Sequence, residues 1–417
     1  MNSNIFKKRT ETSPLIWFVF LLNPFVTFIF VLRKMYNKYF VSIVTAFCGF
    51  YGFTFQCSRE SADCFQHRGD FVNWYSKRSM SWSDFTGFLY GSENDSIDIL
   101  MPFLKYILSR VTDNPDVLYL ILGLSFGFFL AKNLKMIYTE IGRVKSQFIY
   151  LFLLLFFFTV APWEINSYRF WMGAQVFFFG LFPYLIKKNT ENRKKLFFIL
   201  FTPLIHFSFV YVIVVTSLYL LLGNRTKLYI VMLFGSLFIS NIEYSTIKSA
   251  LPETEISIVE GRKTAYLKDS EREGVSNWYV SGRQIPIKWM TILLIFLIYF
   301  KERKHLESSK YSSLFSFMLL FLALNLAFFS TIPQFGRFYR NSLLFLYAFL
   351  FLFFSENNLH QQKWVKNFMP IYTAAALFWL IVEIRIAFDS LSIDTVLLNP
   401  IVAAIARFNI PVIDLIK

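Results

Sequence analysis

The chain is poor in charge. Of its 417 residues only 17% are Asp, Glu, Lys or Arg, too few to clothe a soluble domain of this length, while 55% are hydrophobic. Four histidines and three cysteines give no metal-ligand spacing and no disulfide framework. Cys48 lies in an apolar run; Cys57 and Cys64 share a polar segment, where a disulfide is open to them. No glycine-rich phosphate loop precedes a helix, and there is no Walker motif, nucleotide fingerprint or G-x-S-x-G elbow. Internal repeats and low-complexity linkers are also missing. Lys7-Lys8-Arg9 precedes an apolar run, but no small-residue cleavage site follows and a basic hairpin does, so no cleavable signal peptide is read. The expectation is a protein that uses no metal and no cofactor.

What is present is apolar length. The sequence has 54 phenylalanines and a mean hydropathy of +0.47. Apolar runs fall at roughly 15–32, 39–56, 116–131, 146–162, 168–186, 196–222, 228–242, 285–300, 311–332, 341–355 and 368–388, with a weaker one at 395–413. Many are long enough to cross a bilayer. The reading is an all-α polytopic membrane protein, a single domain over 1–417 with about 11–13 transmembrane helices. Two longer polar stretches, 57–115 and 243–284, are its larger loops. The net charge of +15 does not signal nucleic acid, because the basic residues sit in short blocks between apolar runs, as topogenic charge does. Membrane lipid, through its anionic headgroups, is the expected partner of those blocks.

Lysine and arginine fix the orientation. Loop 187–195 carries five, 132–145 and 301–310 four each, and 33–38 three, and these are the cytoplasmic candidates. Segments 57–115, 163–168 and 243–284 are the outer candidates. Counted as single crossings, the runs alternate cleanly as far as the lysine block ending at 195. Parity then fails, because 243–284 has to begin outside. The simplest repair makes 196–222 a broken hairpin that turns near Pro203 and His206, since the run is too long for one straight helix and too short for two full ones; a less tidy alternative makes 228–242 the re-entrant piece. Irregular backbone at that depth is tolerated only under protein or beside a water-filled cavity. At the termini, residues 15–32, split by Asn23-Pro24, form a hairpin or an added helix, and 395–413 returns across the membrane or lies on its surface.

This topology gathers ionisable residues on the outer face, where they are functional candidates. Arg169 opens a membrane run, Arg337 and Arg340 sit between two, and His206 lies at the hairpin turn. Positive-inside bias should remove arginines from a short outer segment such as 333–340. Arginine binds phosphate with a planar fork and keeps its proton, so three on one face suggest a phosphate or pyrophosphate site. Simpler roles stand beside this one. Arg169 pairs with Glu164, Arg337 and Arg340 anchor at headgroups, and His206 is a packed core histidine. Glu164, the one acid of its loop, is a general base or a counter-ion. In 57–115, Asp70, Trp74 and Tyr75 combine an acid with rings suited to stacking on sugars, or belong to an ordinary solvated loop. Trp278, Tyr279 and Arg283 in 243–284 are less specific.

In chain order these residues resemble a known pattern. Gly69-Asp70-Phe71 with Tyr75 follows the second helix, and Tyr168-Arg169-Phe170-Trp171-Met172-Gly173 opens another. A basic loop and a His-x-Ser turn, His206-Phe207-Ser208, come next, and Arg337-Phe338-Tyr339-Arg340 ends the series. The order is similar to the EpsG family and, more broadly, to Wzy-type polymerases of bacterial surface polysaccharide. It departs in having Phe71 where tyrosine is common, and in longer outer loops. The resemblance implies a multi-pass enzyme of the bacterial inner membrane, active at its extracytoplasmic face. Such an enzyme joins oligosaccharide repeat units carried on undecaprenyl pyrophosphate into O-antigen, capsule or exopolysaccharide. It implies a chain-length regulator as a further partner. Arg169, Arg337 and Arg340 would then hold pyrophosphate, Glu164 or His206 would take the acceptor proton, and Asp70, Trp74 and Tyr75 would meet sugar.

Two rival readings remain. A ligase would move a finished glycan from the same lipid and needs a histidine in a large outer loop; 57–115 has His67, and 243–284 has none. A flippase would string charge through the bilayer and show paired halves, and neither is seen.

Overall fold

The structure, a computed structural model, describes residues 14–57, 63–90, 98–141, 148–239, 277–328, 333–357 and 359–416. Lys7, Lys8, Arg9 and most of the second long segment, 240–276, lie outside the described residues. Among the described residues the secondary structure is helical, apart from one isolated bridge between Ser392 and Pro411. That suits a bilayer, where a helix satisfies its own backbone groups.

The first helices are α1 (Leu15–Leu22), α2 (Pro24–Leu32) and α3 (Phe40–Phe53). Asn23 breaks α1 from α2: its side chain accepts from the Val26 N–H, and Pro24 supplies the fixed φ of a first helical position. Among its described residues the long segment 57–115 contains three further helices, α4 (Asp63–Ser76), α5 (Trp82–Tyr90) and α6 (Leu100–Leu108). Cys57 and Cys64 are bonded, tying α4 to the end of α3.

Next come α7 (Pro115–Thr139), α8 (Ile149–Thr159), α9 (Tyr168–Ile186), α10 (Thr190–Lys195), α11 (Phe197–Ile205), α12 (Val210–Leu222) and α13 (Thr226–Ser236). The last set is α14 (Trp278–Gly282), α15 (Gln284–Lys301), α16 (Arg303–Ser308), α17 (Ser312–Ala327), α18 (Pro333–Glu356), α19 (Lys363–Ala387), α20 (Ile393–Leu397) and α21 (Pro400–Ile405). Segments Pro115–Thr139, Ile149–Ile186, Trp278–Lys301, Phe335–Glu356 and Lys363–Ala387 are long and apolar enough to span a membrane. Ile149–Ile186 is two crossings. Phe156 and Phe178 have ring centroids 5.0 Å apart, whereas one straight helix would separate them by about 33 Å. The 3-10 turn Pro162–Ser167 folds α8 back on α9.

The hairpin expected at 196–222 is present. Gly180 of α9 lies against Ile199, and Phe170, near the start of α9, lies 5.7 Å from His206, so α11 climbs antiparallel to α9. Then α12 descends along α17, with Tyr211 bonded to Asn325 and Tyr219 to the Ser313 carbonyl. The turn has a local cause. His206 leaves the helical region (φ −152°, ψ 115°) and its Nδ1 accepts from the Ser208 N–H. Backbone groups freed by the break are satisfied by the chain preceding α6: Asp98 accepts from the Phe207 N–H at 2.7 Å, and the Leu204 carbonyl accepts from the Ile99 N–H at 3.1 Å. From the lysine end, where Asn224 donates to Ser313, α13 then leaves along α17. The parity problem is thereby removed.

The remaining helices alternate. On α15 and α19, Glu302 meets Trp364 at one end and Arg283 meets Glu383 at the other. On α8 and α18, Phe148 meets Phe354 and Thr159 meets Arg340. Pairing of α3 with α7 depends on glycine: a Cβ on Gly52 would lie 2.0 Å from the Tyr119 carbonyl oxygen, and one on Gly123 would lie 2.1 Å from that of Cys48. Small residues of this kind let membrane helices approach backbone to backbone. The core between α9, α17 and α18 is phenylalanine, with Phe177 packed on Phe317, Phe321 and Phe345.

The weak run 395–413 does not cross. Its chain folds back beside the end of α19, Val412 N–H donating to Leu391 and Ile393 N–H to Ile410. Arg407 clamps it to the end of α3 and the start of α7, through the Phe53 carbonyl and Asp116.

Candidate functional site

The ionisable residues collect at the end of the bundle opposite the lysine block 187–195. They form two groups that share the first turn of α9. One is built on the hairpin turn. Asp98, 7% exposed in its side chain, accepts from Arg169 at 2.7 Å and from the Phe207 N–H, so one carboxylate fixes both the arginine and the turn. Charge-assisted bonds of this length are the strong kind. Phe170 sits against His206 and Phe338, and the Arg337 guanidinium lies 5.9 Å from its ring centroid. Among the described residues Arg337 has no carboxylate partner.

This group extends into the 57–115 segment. Lys105 of α6 is buried, with its side chain 6% exposed, and its ammonium donates to Asp70 of α4 at 3.1 Å and lies 3.4 Å from His67 Nδ1. Burial, reinforced by the nearby Lys105 and Arg169 charges, pushes the His67 imidazole down to about 3. Burial also lowers Lys105, and Asp70 pulls it partly back. A neutral His67 accepting at Nδ1 carries its proton on Nε2. Asp70 itself is open, its side chain 56% exposed.

The second group is closed. Arg340 donates to Glu164 at 2.5 Å and to the Thr159 carbonyl, and its guanidinium stacks 4.5 Å over Trp171. Arg283 and Glu383 pair nearby at 2.8 Å. Thus Arg169 does not pair with Glu164: its carboxylate is Asp98, and Glu164 is the counter-ion of Arg340.

Asp70, Arg169, His206 and Arg337 are therefore neighbours or joined through one intermediary. Arg340 and Glu164 lie one ring further along α9. Trp74 and Tyr75 are on α4 with Asp70, but Trp74 packs on Phe85 and Phe88 and Tyr75 stacks under Arg78. Asp98 and Lys105 were missed in the sequence. The available signal was a lone lysine within the apolar helix LMPFLKYIL, preceded closely by an acid.

An all-α polytopic membrane protein with arginine, lysine and an open carboxylate clustered at one end is the class that fold and site define. Residues 70–392 match the model of the EpsG family, and the chain belongs to that family of Wzy-type polysaccharide polymerase-like proteins. No curated protein and no solved structure matches it.

Proposed function

We propose that the protein polymerises undecaprenyl-pyrophosphate-linked oligosaccharide units at the outer face of the bacterial inner membrane. The observation that carries this reading is Arg337, a guanidinium without a carboxylate partner among the described residues, set over the ring of Phe170, which follows Arg169 in the chain and touches His206. Transfer of the growing chain breaks the bond between its anomeric carbon and a pyrophosphate oxygen, which leaves with the electron pair. A hydroxyl of the incoming lipid-linked unit attacks that carbon and releases its proton. Arg337 and Arg169 stabilise the charge growing on the leaving oxygen. His206, whose Nδ1 accepts from the Ser208 N–H, holds the turn on which these groups are set. Asp98 and Glu164 are buried against arginines, whereas Asp70 is held by Lys105 and stays open, so Asp70 takes the acceptor proton. Arg340 holds Glu164 and the α8–α9 turn in place.

Family membership, and a sequence in which no paired halves are seen, favour a polymerase over a flippase. The test is the glycan ladder of cells carrying Arg337→Ala or Arg169→Ala at normal membrane levels. Collapse to single repeat units is expected; wild-type chain lengths in both would overturn the assignment. Accumulation of long unligated chains would instead indicate a ligase. A chain-length regulator as partner belongs to the same reading, tested by co-purification.

A further inference from the structure

A cavity of about 720 Å³ runs along the side of the bundle between α2, α8 and the end of α19. It starts beside Arg33 at the lysine-rich end and finishes at Trp163, the residue before Glu164. Its walls include Phe28, Ile29, Leu154, Phe157 and Phe388. Ile29 and Leu154, on opposite walls, are 40% and 43% exposed, so the cavity opens sideways into hydrocarbon. Protein interiors pack without gaps of this size, and an apolar space at bilayer depth is filled by a chain.

We propose that this groove holds the isoprenoid tail of the lipid-linked substrate. The inference rests on the reading above and gives that substrate its anchor. The groove's far end reaches the turn that carries the charged site: Trp163 precedes Glu164, and Pro162–Ser167 runs on into Arg169. A tail lying along α8 therefore delivers its head to the turn between the two ionic groups. The lining is rich in aromatic rings, which suit a chain of isolated, methyl-bearing double bonds, each locally flat. A two-chain phospholipid with its phosphate at Arg33 would place only tail ends against Trp163.

Purified protein with Ile29→Trp and Leu154→Trp fills the groove from its two lipid-exposed walls. Ile371→Trp, on a lipid-facing position of α19 outside the groove, is the control. Native mass spectrometry with undecaprenyl phosphate and with phosphatidylglycerol reads binding independently of activity. We expect the filled variant to lose polyprenyl phosphate binding at least tenfold and the control to keep it. Equal binding by wild type and filled variant, or wild-type retention of phosphatidylglycerol as strong as that of polyprenyl phosphate, would overturn the proposal. Chain extension on short, two-isoprene donors should survive filling, while extension on full-length donors falls. Wild type that binds polyprenyl phosphate in the groove yet never extends a chain refutes the polymerase reading alone. Wild type and filled variant that extend full-length donors equally well refute the groove alone.

Discussion

Arg340 and Glu164, 176 residues apart in the chain, meet at 2.5 Å with both side chains nearly buried. Removing one partner of a buried ion pair strands the other and costs about 3–5 kcal/mol, while replacing both with apolar groups is often near neutral. Glu164→Ala and Arg340→Ala should each lower the amount of folded protein in the membrane, and Glu164→Leu with Arg340→Met should recover it. Fluorescence-detected size exclusion measures this. Single variants that fold like wild type would show the pair to be dispensable.

One turn before Arg340, Arg337 has a different expected profile. Arg337→Ala should fold normally and lose about 10²- to 10³-fold in chain extension, the usual cost of one preorganised donor to a developing oxyanion. Arg337→Lys keeps the charge but not the fork and should recover only part of that loss. Asp70→Asn, which keeps the shape but not the proton acceptor, should lose about 10²- to 10⁴-fold. Radiolabelled lipid-linked units and purified protein give these rates.

His67 is held neutral down to about 3, against an ordinary value of 6.5. Between those values the unfolded chain binds a proton that the folded protein does not, so folding stability rises with pH across that window and is lost on acidification. Wild type should therefore lose more thermal stability than His67→Gln between pH 7 and pH 5. Identical slopes in a thermal-shift series would contradict the assignment. Lys105 is lowered as well, so its ammonium is lost at less alkaline pH than an exposed lysine's, and activity should fall there first.

Gly52 and Gly123 test the packing of α3 on α7. Alanine at either would drive a methyl group into a backbone carbonyl, at 2.0 or 2.1 Å. Folded yield in detergent should drop for both, whereas Gly87→Ala, where nothing lies within 4 Å, should be silent.

Much of the fold is legible because bilayer thickness converts apolar length into crossings, and loop lysines give each crossing a direction. Even the hairpin at 196–222 follows from parity, since one unpaired crossing cannot be hidden. Partner choice was not legible. Glu164 and Arg169 are five residues apart and looked like a pair, yet the folded chain gives Arg169 to Asp98, brought in from a segment that read as a loop. Sequence spacing reports neighbours along a helix, but not which polar segment folds over its end. Lys105 escaped notice for a related reason. Polarity marked 57–115 as solvated, whereas α4 and α6 bury that charge between them.

Chain extension from lipid pyrophosphate is assigned to the Arg337 site. The direct measurement supplies purified protein in liposomes with undecaprenyl-pyrophosphate-linked repeat units and no ion gradient, and resolves the products by gel. Wild type should give a ladder of lengthening glycans, and Arg337→Ala single units. Single units with wild type, or equal ladders from both proteins, would contradict that assignment.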